Sequence, residues 1–236
     1  MIRVELHAHT SDDPEDRIPH SARELVAHAA GLGYGALAIT LHDAVFDPAP
    51  LAAFAREHGV RLLSGIERTI DGAHVLLINH PAAAALAVTS LADVAALKAA
   101  HPTGLVIAPH PCYPIASALG RRRLDAHAGL WDAIEVNALH VRALDWNRQA
   151  IAWAGAHGRP LVGNGDVHRL TQLGRTWSDV DVDVPATWSD AEAADAICAA
   201  IRAGHVRVAG APLSPWRAAT IYGQMVMGGW RGRLRR

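Results

Sequence analysis

The stretch Ile2-Arg-Val-Glu-Leu-His-Ala-His-Thr10 joins a strand pattern to two histidines, and it indicates both the fold class and the chemistry of the chain. A strand is predicted over Ile2–Leu6, where apolar residues are frequent. Because the side chains of an extended segment alternate between two faces, His7 and His9 point to the same side. The first strand is therefore expected to end in a pair of imidazoles suited to binding one metal ion.

Further strands are predicted along the whole chain, most of them short and rich in valine, isoleucine and leucine. They are Gly35–Thr40, Val60–Ile66, Ala73–Ile78, Gly104–Ala108, Ala133–Asn137, Pro160–Gly163, Val180–Val184 and Val206–Ala209. This composition is typical of strands that are buried on both faces of a parallel sheet. One hairpin interrupts the alternation, because Asp71-Gly72 is a turn dipeptide between Glu67–Ile70 and Ala73–Ile78.

Helical patterns fill the intervals between the strands. Ser21-Ala-Arg-Glu24 and Ser189-Asp-Ala-Glu192 are capping boxes, which predict helices ending near Leu32 and Gly204. Other helices are predicted over Ala49–Glu57, Leu91–Ala100 and Val141–His157. Regular alternation of strand and helix predicts an α/β protein with a parallel sheet, and the number of strands suits a TIM-like barrel in a single domain over residues 1–236.

Composition excludes several classes of protein. The chain has 236 residues, 50% of them apolar and 19% charged, as expected of a folded domain rather than a disordered one. A formal net charge of −1 gives no bias toward nucleic acid or acidic membranes. Two cysteines cannot form a disulfide scaffold, and no signal peptide or membrane span is recognisable, so a cytoplasmic protein without a membrane partner is expected.

Residues that bind metals gather directly after the predicted strands, where a barrel places its chemistry. They are His7, His9, Asp12, Asp13 and Asp16, then His42 and Asp43, Glu67 and His74, and finally His110, Glu135, Asn137, Asp166 and His168. Carboxylates and imidazoles without cysteine suit Zn, Mn or Fe and argue against a structural zinc. The sequence therefore predicts a polynuclear metal site at one end of the barrel.

Five motifs in this order resemble those of the PHP (polymerase and histidinol phosphatase) family. They are Glu5-Leu-His-Ala-His-Thr, Ala38-Ile-Thr-Leu-His42-Asp, Gly65-Ile-Glu67, His110-Pro and Gly165-Asp-Val-His168. The resemblance covers roughly residues 1–180 and implies a distorted (β/α)7 barrel that holds two or three divalent metal ions. Residues 185–236 would then be C-terminal helices that complete or flank the barrel. Many members of the family hydrolyse phosphate esters.

Carried over residue by residue, the resemblance implies nine ligands. They are His7, His9 and Asp166 for a first metal, His42, His168 and Asp16 for a second, and Glu67, His74 and His110 for a third, with Glu67 bridging the first and third. Asp12 is the alternative to Asp16, and His80 is the alternative to His74. The family usually has an aspartate before the histidine of its second motif, whereas this chain has Leu41. This departure is expected to alter hydrogen bonding around His42 rather than its ligation.

The implied reaction is hydrolysis of a phosphate ester by a metal-bridging hydroxide held by Glu67, Asp166 and His168. Three carboxylates against three divalent ions leave the site cationic, which suits the phosphomonoester of a small molecule or a nucleotide. Arg17 and Arg175 are candidate phosphate contacts. The pattern does not separate small phosphorylated substrates from the end of an oligonucleotide, and it contains no signal of oligomeric state.

Two other functions are alternatives. A non-catalytic regulatory or scaffold domain that binds metal is expected to have lost ligands, whereas nearly every motif position here is filled. A metal-dependent amidohydrolase acting on C–N bonds is favoured by a lysine at a strand end, whereas the sole lysine, Lys98, falls in a predicted helix.

The remaining residues indicate a structure or function less specifically. Glu135 and Asn137 have two interpretations, as contacts of ligand histidines or substrate and as the polar end of a buried strand. His20 and other histidines outside the strand ends are expected at the surface. Trp216–Trp230 is expected to pack across the barrel or against another subunit. The arginines at the end of the chain are expected to be solvated, and they are Arg231, Arg233, Arg235 and Arg236.

Overall fold

The computed structural model describes residues 1–221 and 223, which form a mixed α/β fold. Its strands are β1 (Ile2–Glu5), β2 (Ala36–Ala38), β3 (Arg61–Leu63), β4 (Gly65–Ile70), β5 (Ala73–Ile78), β6 (Leu105–Ala108), β7 (Ala133–Asn137), β8 (Leu161–Asn164), β9 (Thr176–Val180) and β10 (Val206–Gly210). Its α-helices are α1 (Ala22–Gly31), α2 (Ala52–Glu57), α3 (Ala82–Leu86), α4 (Leu91–Ala100), α5 (Gly120–Ala126), α6 (Asn147–Ala156) and α7 (Asp190–Arg202). Short 3-10 helices cover Ala49–Leu51 and Leu170–Gln172.

The strands form two five-stranded sheets, in the orders β10-β9-β1-β2-β3 and β4-β5-β6-β7-β8. Pairing is parallel from β1 through β3 and from β6 through β8. The predicted hairpin at Asp71-Gly72 is confirmed, and because it reverses the chain, β5 is antiparallel to both β4 and β6. Strand β9 is antiparallel to β1 and to β10. The expectation of a parallel sheet therefore holds only for β1 to β3 and for β6 to β8, and the two open sheets do not confirm a (β/α)7 barrel.

Two isolated bridges connect the sheets at the ends of their strands. Ala8, beyond β1, pairs in parallel with Val167, beyond β8. His42, beyond β2, pairs in parallel with Glu67 in β4. The backbone of both sheets is therefore held together where the predicted ligands lie.

Buried helix faces hold the sheets from outside. Leu25, Val26 and Ala29 of α1 belong to one core cluster with β2 and β3, and Trp153 of α6 packs in another with β6 and β7. The capping boxes predicted at Ser21 and Ser189 are both formed, which fixes where α1 and α7 begin. A third core cluster joins Val4 of β1 and Ile107 of β6 to Ile197 of α7, so apolar cores cover both faces of the strands and the polar side chains lie at the strand ends.

The strand predicted over Val180–Val184 is wrong, because the structure places β9 at Thr176–Val180. Its inward residues Thr176 and Ser178 are polar, so an apolar pattern does not reveal them. Ser178 Oγ accepts a hydrogen bond from Gly163 N at 2.8 Å and donates one to Gly163 O at 3.1 Å. These bonds explain how a hydroxyl is accommodated in the core.

The helix predicted over Val141–His157 is too long, since α6 begins only at Asn147. The Asn147 side chain accepts a hydrogen bond from Asn137 N at 2.9 Å and donates one to Asn137 O at 3.0 Å. The residues between these two asparagines form an irregular loop that starts directly after β7.

The C-terminal part contains α7, β10 and helical residues 215–221, and β10 confirms the strand predicted over Val206–Ala209. The expectation for Trp216–Trp230 lies largely outside the described residues, and the one for Arg231, Arg233, Arg235 and Arg236 lies wholly outside them. Within residues 1–221 and 223, no helix is both long enough and apolar enough to cross a membrane.

Candidate metal centre

Eight of the nine predicted ligands come together in one cluster at the strand ends, called the ligand cluster below. Its members are His7, His9, His42, Glu67, His74, His110, Asp166 and His168. In four groups of three, the ligand atoms lie within 4.8 Å of one another: His7, His9 and Asp166; His9, His42 and His168; His7, Glu67 and His110; and His42, Glu67 and His74. The first group is the predicted first-metal set.

Glu67 lies at the middle of the ligand cluster and is 1% exposed. Its Oε2 atom is 3.2 Å from the Nε2 atoms of His7 and His42, and 3.4 Å from Nε2 of His9. One carboxylate oxygen therefore faces three imidazoles that come from the ends of two neighbouring strands.

The other oxygen of Glu67 faces the opposite side of the cluster. Its Oε1 atom lies 2.7 Å from His74 Nδ1 and 3.3 Å from His110 Nε2. A carboxylate whose two oxygens face separate sets of imidazoles can bridge two cations.

Asp166, which follows β8, faces three imidazoles of the ligand cluster. Its Oδ1 atom lies 3.5 Å from His7 Nε2, 3.6 Å from His9 Nε2 and 3.3 Å from His168 Nδ1. Asp166 therefore faces ligands from the first and the last of the five motifs.

Asp16 and Asp12 are the alternative ligands predicted from the sequence, and the structure distinguishes between them. Asp16 Oδ2 lies 3.0 Å from His168 Nε2, at the edge of the ligand cluster. The exposed Asp12 instead accepts a hydrogen bond from Thr10 Oγ1 at 3.0 Å. Asp16 is thus beside the candidate centre, although it belongs to none of the four groups of three.

Several buried imidazole nitrogens of the cluster lack hydrogen-bond partners. Those that face a carboxylate of the cluster are Nε2 of His7, Nε2 of His9 and Nδ1 of His74. His74 Nδ1 is only 2.7 Å from a Glu67 oxygen, yet the pair lacks hydrogen-bonding geometry. Buried polar atoms normally have partners, so nitrogens and carboxylate oxygens that converge without bonding each other fit a site for cations.

Asp13, which is among the strand-end residues named above but was not predicted as a ligand, fixes two of these imidazoles. Its Oδ2 atom accepts hydrogen bonds from Nδ1 of His9 and Nδ1 of His42, both at 2.9 Å. Its Oδ1 atom accepts bonds from the backbone N–H groups of Glu15 and Asp16 at 2.9 Å. With Nδ1 occupied, both rings direct Nε2 at Glu67. Asp13 thus provides a carboxylate partner for His42, whose preceding residue is the apolar Leu41.

Glu135 holds His7 and His110 from the end of β7. Its Oε1 atom accepts a hydrogen bond from His7 Nδ1 at 2.8 Å, and its Oε2 atom accepts one from His110 N at 2.7 Å. Asn137 Nδ2 donates to Glu135 at 3.3 Å and to Asp166 Oδ2 at 3.1 Å. Of the two interpretations given to Glu135 and Asn137, the contact with ligand residues is therefore the one observed.

Glu5 supports the cluster from β1. Its Oε1 atom accepts a hydrogen bond from His7 N at 3.0 Å, and its Oε2 atom accepts one from Gly165 N at 2.8 Å. Complete burial raises the pKa of Glu5 well above its ordinary value. The sequence contained a signal for it, because Glu5, His7 and His9 share one face at a spacing of two.

Backbone strain is concentrated at these strand ends. Asp43, His110 and Asp166 have φ of 50°, 30° and 48°, in the left-handed region that non-glycine residues rarely occupy. Such conformations persist where the surrounding structure fixes them, often at functional sites. The Asp43 side chain is directed away from the ligand atoms, since its Oδ1 atom accepts from Arg68 and from Thr69 N, whereas its backbone N donates to Glu67 O at 2.9 Å.

The charges of the cluster stabilise one another. Burial would raise the pKa of Glu67 and Asp166, but nearby imidazoles, His7 foremost, hold both pKa values well below the ordinary range. Burial lowers the pKa of His42 and His168, yet carboxylates outweigh it and raise these pKa values to about 9 and about 10. The cluster thus attracts positive charge, and a divalent cation would displace protons there.

The two arginines proposed for phosphate binding lie outside the ligand cluster. Arg17 is exposed. Arg175 is partly buried and lines a cavity near His20. His20 was expected at the surface, but it is 3% exposed and its Nε2 atom donates to His9 O at 2.9 Å. A histidine next to a ligand backbone is not distinguishable from a surface one by sequence pattern.

His80, the alternative to His74, lies away from the cluster. A Cβ atom added at Gly104 would lie 2.4 Å from its ring, which shows how closely the imidazole covers that glycine. Burial lowers the pKa of His80 to about 4 from an ordinary value of 6.5. His80 therefore belongs to the core rather than to the candidate centre.

A pH-dependent stability follows for His80. The unfolded chain binds a proton on this residue below pH 6.5, whereas the folded chain resists it until about pH 4. The unfolding free energy should therefore drop by about 3 kcal/mol more in the native chain than in His80→Leu between pH 7 and pH 4. Denaturant unfolding at the two pH values measures the difference, since the ligand cluster titrates equally in both proteins. Parallel pH profiles would contradict the assignment.

Comparison with known proteins adds a family match. The family model described as PHP-associated matches residues 145–206. The DNA polymerase III PolC-type of Lactococcus lactis subsp. lactis is 40% identical over 68 residues, which cover 29% of this chain and 4% of that protein. The PolC-type enzyme of Caldanaerobacter subterraneus subsp. tengcongensis is 47% identical over 66 residues, which cover 28% and 5%. The match therefore spans only a small part of these curated relatives.

Solved structures share the fold over longer stretches. PsfC from Pseudomonas syringae has a TM-score of 0.65 at 17% identity, covering 100% of both chains. A two-domain protein from Bacteroides vulgatus, containing a predicted PHP-like metal-dependent phosphoesterase, has a TM-score of 0.62 at 18% identity, covering 89% of this chain and 65% of that one. The lesion-specific endonuclease PfuEndoQ from Pyrococcus furiosus has a TM-score of 0.53 at 14% identity, covering 91% and 59%. Together, the sequence and structure matches confirm the resemblance to the PHP family.

Proposed function

We propose that this chain is a metal-dependent hydrolase of phosphate esters, with two or three divalent ions in the ligand cluster. The observation that carries the proposal is the position of Glu67, whose two oxygens face five imidazoles within 3.4 Å. The unpartnered Nε2 atoms of His7 and His9 support it, because metal coordination would satisfy them.

Each proposed ion would have its own set of ligands. His7, His9 and Asp166 would hold the first ion, and His42 and His168 with Asp16 the second. Glu67 would bridge toward a third, completed by His74 and His110. Carboxylate and imidazole ligands suit Zn, Mn or Fe. When bound, such ions lower the pKa of water and neutralise charge that develops on phosphoryl oxygens.

Neighbouring residues of the chain would orient the ligand imidazoles toward the ions. Asp13 and Glu135 keep the Nδ1 atoms of His9, His42 and His7 occupied, so that Nε2 of each ring is free for a cation. Glu67, Asp166 and His168 are the residues proposed to hold the nucleophilic water. Of the two proposed phosphate contacts, Arg175 lines a cavity whose wall includes His20, and His20 donates a hydrogen bond to His9 O.

The proposed substrate is a phosphomonoester of a small molecule or nucleotide. An oligonucleotide is the second candidate, because the fold is shared with a lesion-specific endonuclease. Release of inorganic phosphate from small esters, compared with cleavage of labelled single-stranded DNA, separates the two.

We further propose that the two sheets form a distorted seven-stranded barrel within one domain. The bridges Ala8–Val167 and His42–Glu67 support closure on both sides of the first sheet. Strand β3 continues into β4 after a single residue, so that the two would count as one strand of the ring.

Removal of metal should abolish activity. Dialysis against a chelator is expected to eliminate p-nitrophenyl phosphate hydrolysis, and added Zn, Mn or Fe should restore it, because the water nucleophile depends on the ions. Phosphate release before and after chelation measures this. Turnover unaffected by chelator would contradict the proposal. Stoichiometric metal without turnover on a panel of phosphate esters would instead favour a scaffold domain or a C–N amidohydrolase.

A further inference from the structure

An apolar cavity of about 310 Å³ lies next to the candidate metal centre. Side chains from three segments line it, which are residues 113–115, residues 139–146 and the helical residues 218–219. Tyr113 connects the cavity to the centre, because its ring centroid lies 6.5 Å from that of His110, a member of the ligand cluster. Tyr113 N also donates a hydrogen bond to His110 O at 3.1 Å. The cavity therefore begins one side chain away from a proposed metal ligand.

The loop of residues 138–146, which provides one side of the wall, is held in a fixed shape. Asn137 and Asn147 exchange two hydrogen bonds at its base, at 2.9 and 3.0 Å, and the Asn137 side chain also contacts the ligand cluster. Further along the loop, Val141 and Leu144 pair through two backbone hydrogen bonds of 3.1 Å. A compact loop whose ends are joined in this way gives the cavity a preformed wall that is anchored to the candidate centre.

The polar groups along this wall already have partners within the protein. Tyr113 Oη donates to Leu139 O at 3.2 Å. His140 Nδ1 donates to Asn137 O at 3.1 Å, and His140 O accepts from Leu213 N at 2.8 Å. Leu139 N donates to the Asn137 side chain at 2.8 Å. A sugar or a nucleobase would need polar partners for its hydroxyls or ring nitrogens, whereas this wall offers mainly hydrocarbon.

Large apolar side chains of the cavity are also exposed to solvent. Leu144 is 51% exposed and Ile115 is 44% exposed. Tyr113 and Trp146, whose ring centroids are 5.6 Å apart, add two aromatic rings to the same wall. Exposed apolar side chains that border an apolar cavity are typical of a site that an apolar ligand covers.

We propose that this apolar cavity binds the hydrocarbon part of the substrate, whose phosphate occupies the metal centre. The inference rests on the proposed function and specifies the substrate as a phosphate ester of an apolar alcohol. The occupant is the alcohol of the ester because the cavity adjoins His110 through Tyr113. Its volume is at the lower end of the range of about 300–1,000 Å³ that is usual for small-molecule sites, which suits a short alkyl chain.

Ethyl, butyl and hexyl phosphate, used as probes on the metal-loaded full chain, test the inference. Each methylene that enters the cavity should raise kcat/KM by about three- to fourfold, as expected for the transfer of a CH₂ group out of water. Calorimetry gives the affinity of the same esters, and affinity replaces kcat/KM for an ester that is not hydrolysed. Leu144→Ser and Val141→Ser should each reduce the factor per methylene toward one. The control Leu86→Ser changes a leucine of α3 with similar exposure, 43%, and should leave the factor intact.

The outcomes separate this inference from the proposed function. Equal values for ethyl and hexyl phosphate, or a chain-length dependence that survives both variants, overturn the inference even if every ester is hydrolysed. Absence of binding by all three esters overturns it as well. A dependence that the variants remove, without phosphate release, supports the inference and counts against hydrolysis as the function. Equal values together with a dimer that Leu144→Ser dissociates would assign the cavity to a second copy of the chain instead.

Discussion

Replacing Glu67 with glutamine is expected to reduce phosphate ester hydrolysis by a factor of about 10³ or more. The substitution keeps the size of the side chain but removes the negative charge that faces imidazoles on both sides. It also exchanges one ligand oxygen for an amide nitrogen that cannot ligate. One of the two proposed bridging contacts is lost and the other loses its charge, so bound metal should decrease together with kcat.

Metal content and kcat of purified Glu67→Gln measure this directly. The matched control is Glu57→Gln, which removes an exposed carboxylate from α2 and should behave as the native chain. Circular dichroism establishes that both variants are folded. A Glu67→Gln protein that keeps its metal and native turnover would refute the central role of this carboxylate.

Asp13→Asn is expected to weaken metal binding by about 10- to 100-fold while leaving the ligands themselves in place. Asp13 accepts hydrogen bonds from Nδ1 of His9 and of His42, and from the backbone around Asp16. An amide nitrogen cannot accept hydrogen bonds, so the side chain loses either both imidazoles, which share Oδ2, or the backbone N–H groups that hold it in place. Because the defect lies in affinity, saturating metal should restore most of kcat, which it cannot do for Glu67→Gln.

A competition titration with a chromophoric chelator, followed by kcat at rising metal concentration, tests this distinction. Asp12→Asn is the neighbouring comparison, because the Asp12 carboxylate contacts Thr10 rather than an imidazole. An equal loss of metal affinity in Asp13→Asn and Asp12→Asn would favour Asp12 as a ligand. Native affinity in Asp13→Asn would show that the rings need no support from this side chain.

Local chemistry made part of the fold predictable from sequence. The turn dipeptide Asp71-Gly72 and the capping boxes at Ser21 and Ser189 appear as predicted, because each is fixed by residues close together in the chain. Strand β9 was missed because its buried residues Thr176 and Ser178 are polar, and Ser178 is stabilised by Gly163 of β8, which belongs to the other sheet. Whether the two sheets close into a barrel likewise depends on contacts between segments that are distant in the sequence.

The candidate site could likewise be predicted only in part. Strand-end placement brings His7, His42 and His168 together although they are far apart in sequence, because parallel strands expose the same ends. The residues that support the ligands were harder to predict from the sequence. Asp13 reaches His42 only through the path of the loop after β1, and no spacing rule predicts that path. Glu135 depends on how β7 is placed against β1, which strand pattern alone does not determine.

Elemental analysis of the purified, metal-replete chain tests the central claim most directly. Inductively coupled plasma mass spectrometry should find two to three Zn, Mn or Fe ions per chain. The number should fall in Glu67→Gln and stay unchanged in Glu57→Gln. Fewer than one ion per chain under metal-replete conditions, in protein shown to be folded, would contradict the assignment of the ligand cluster as a metal centre.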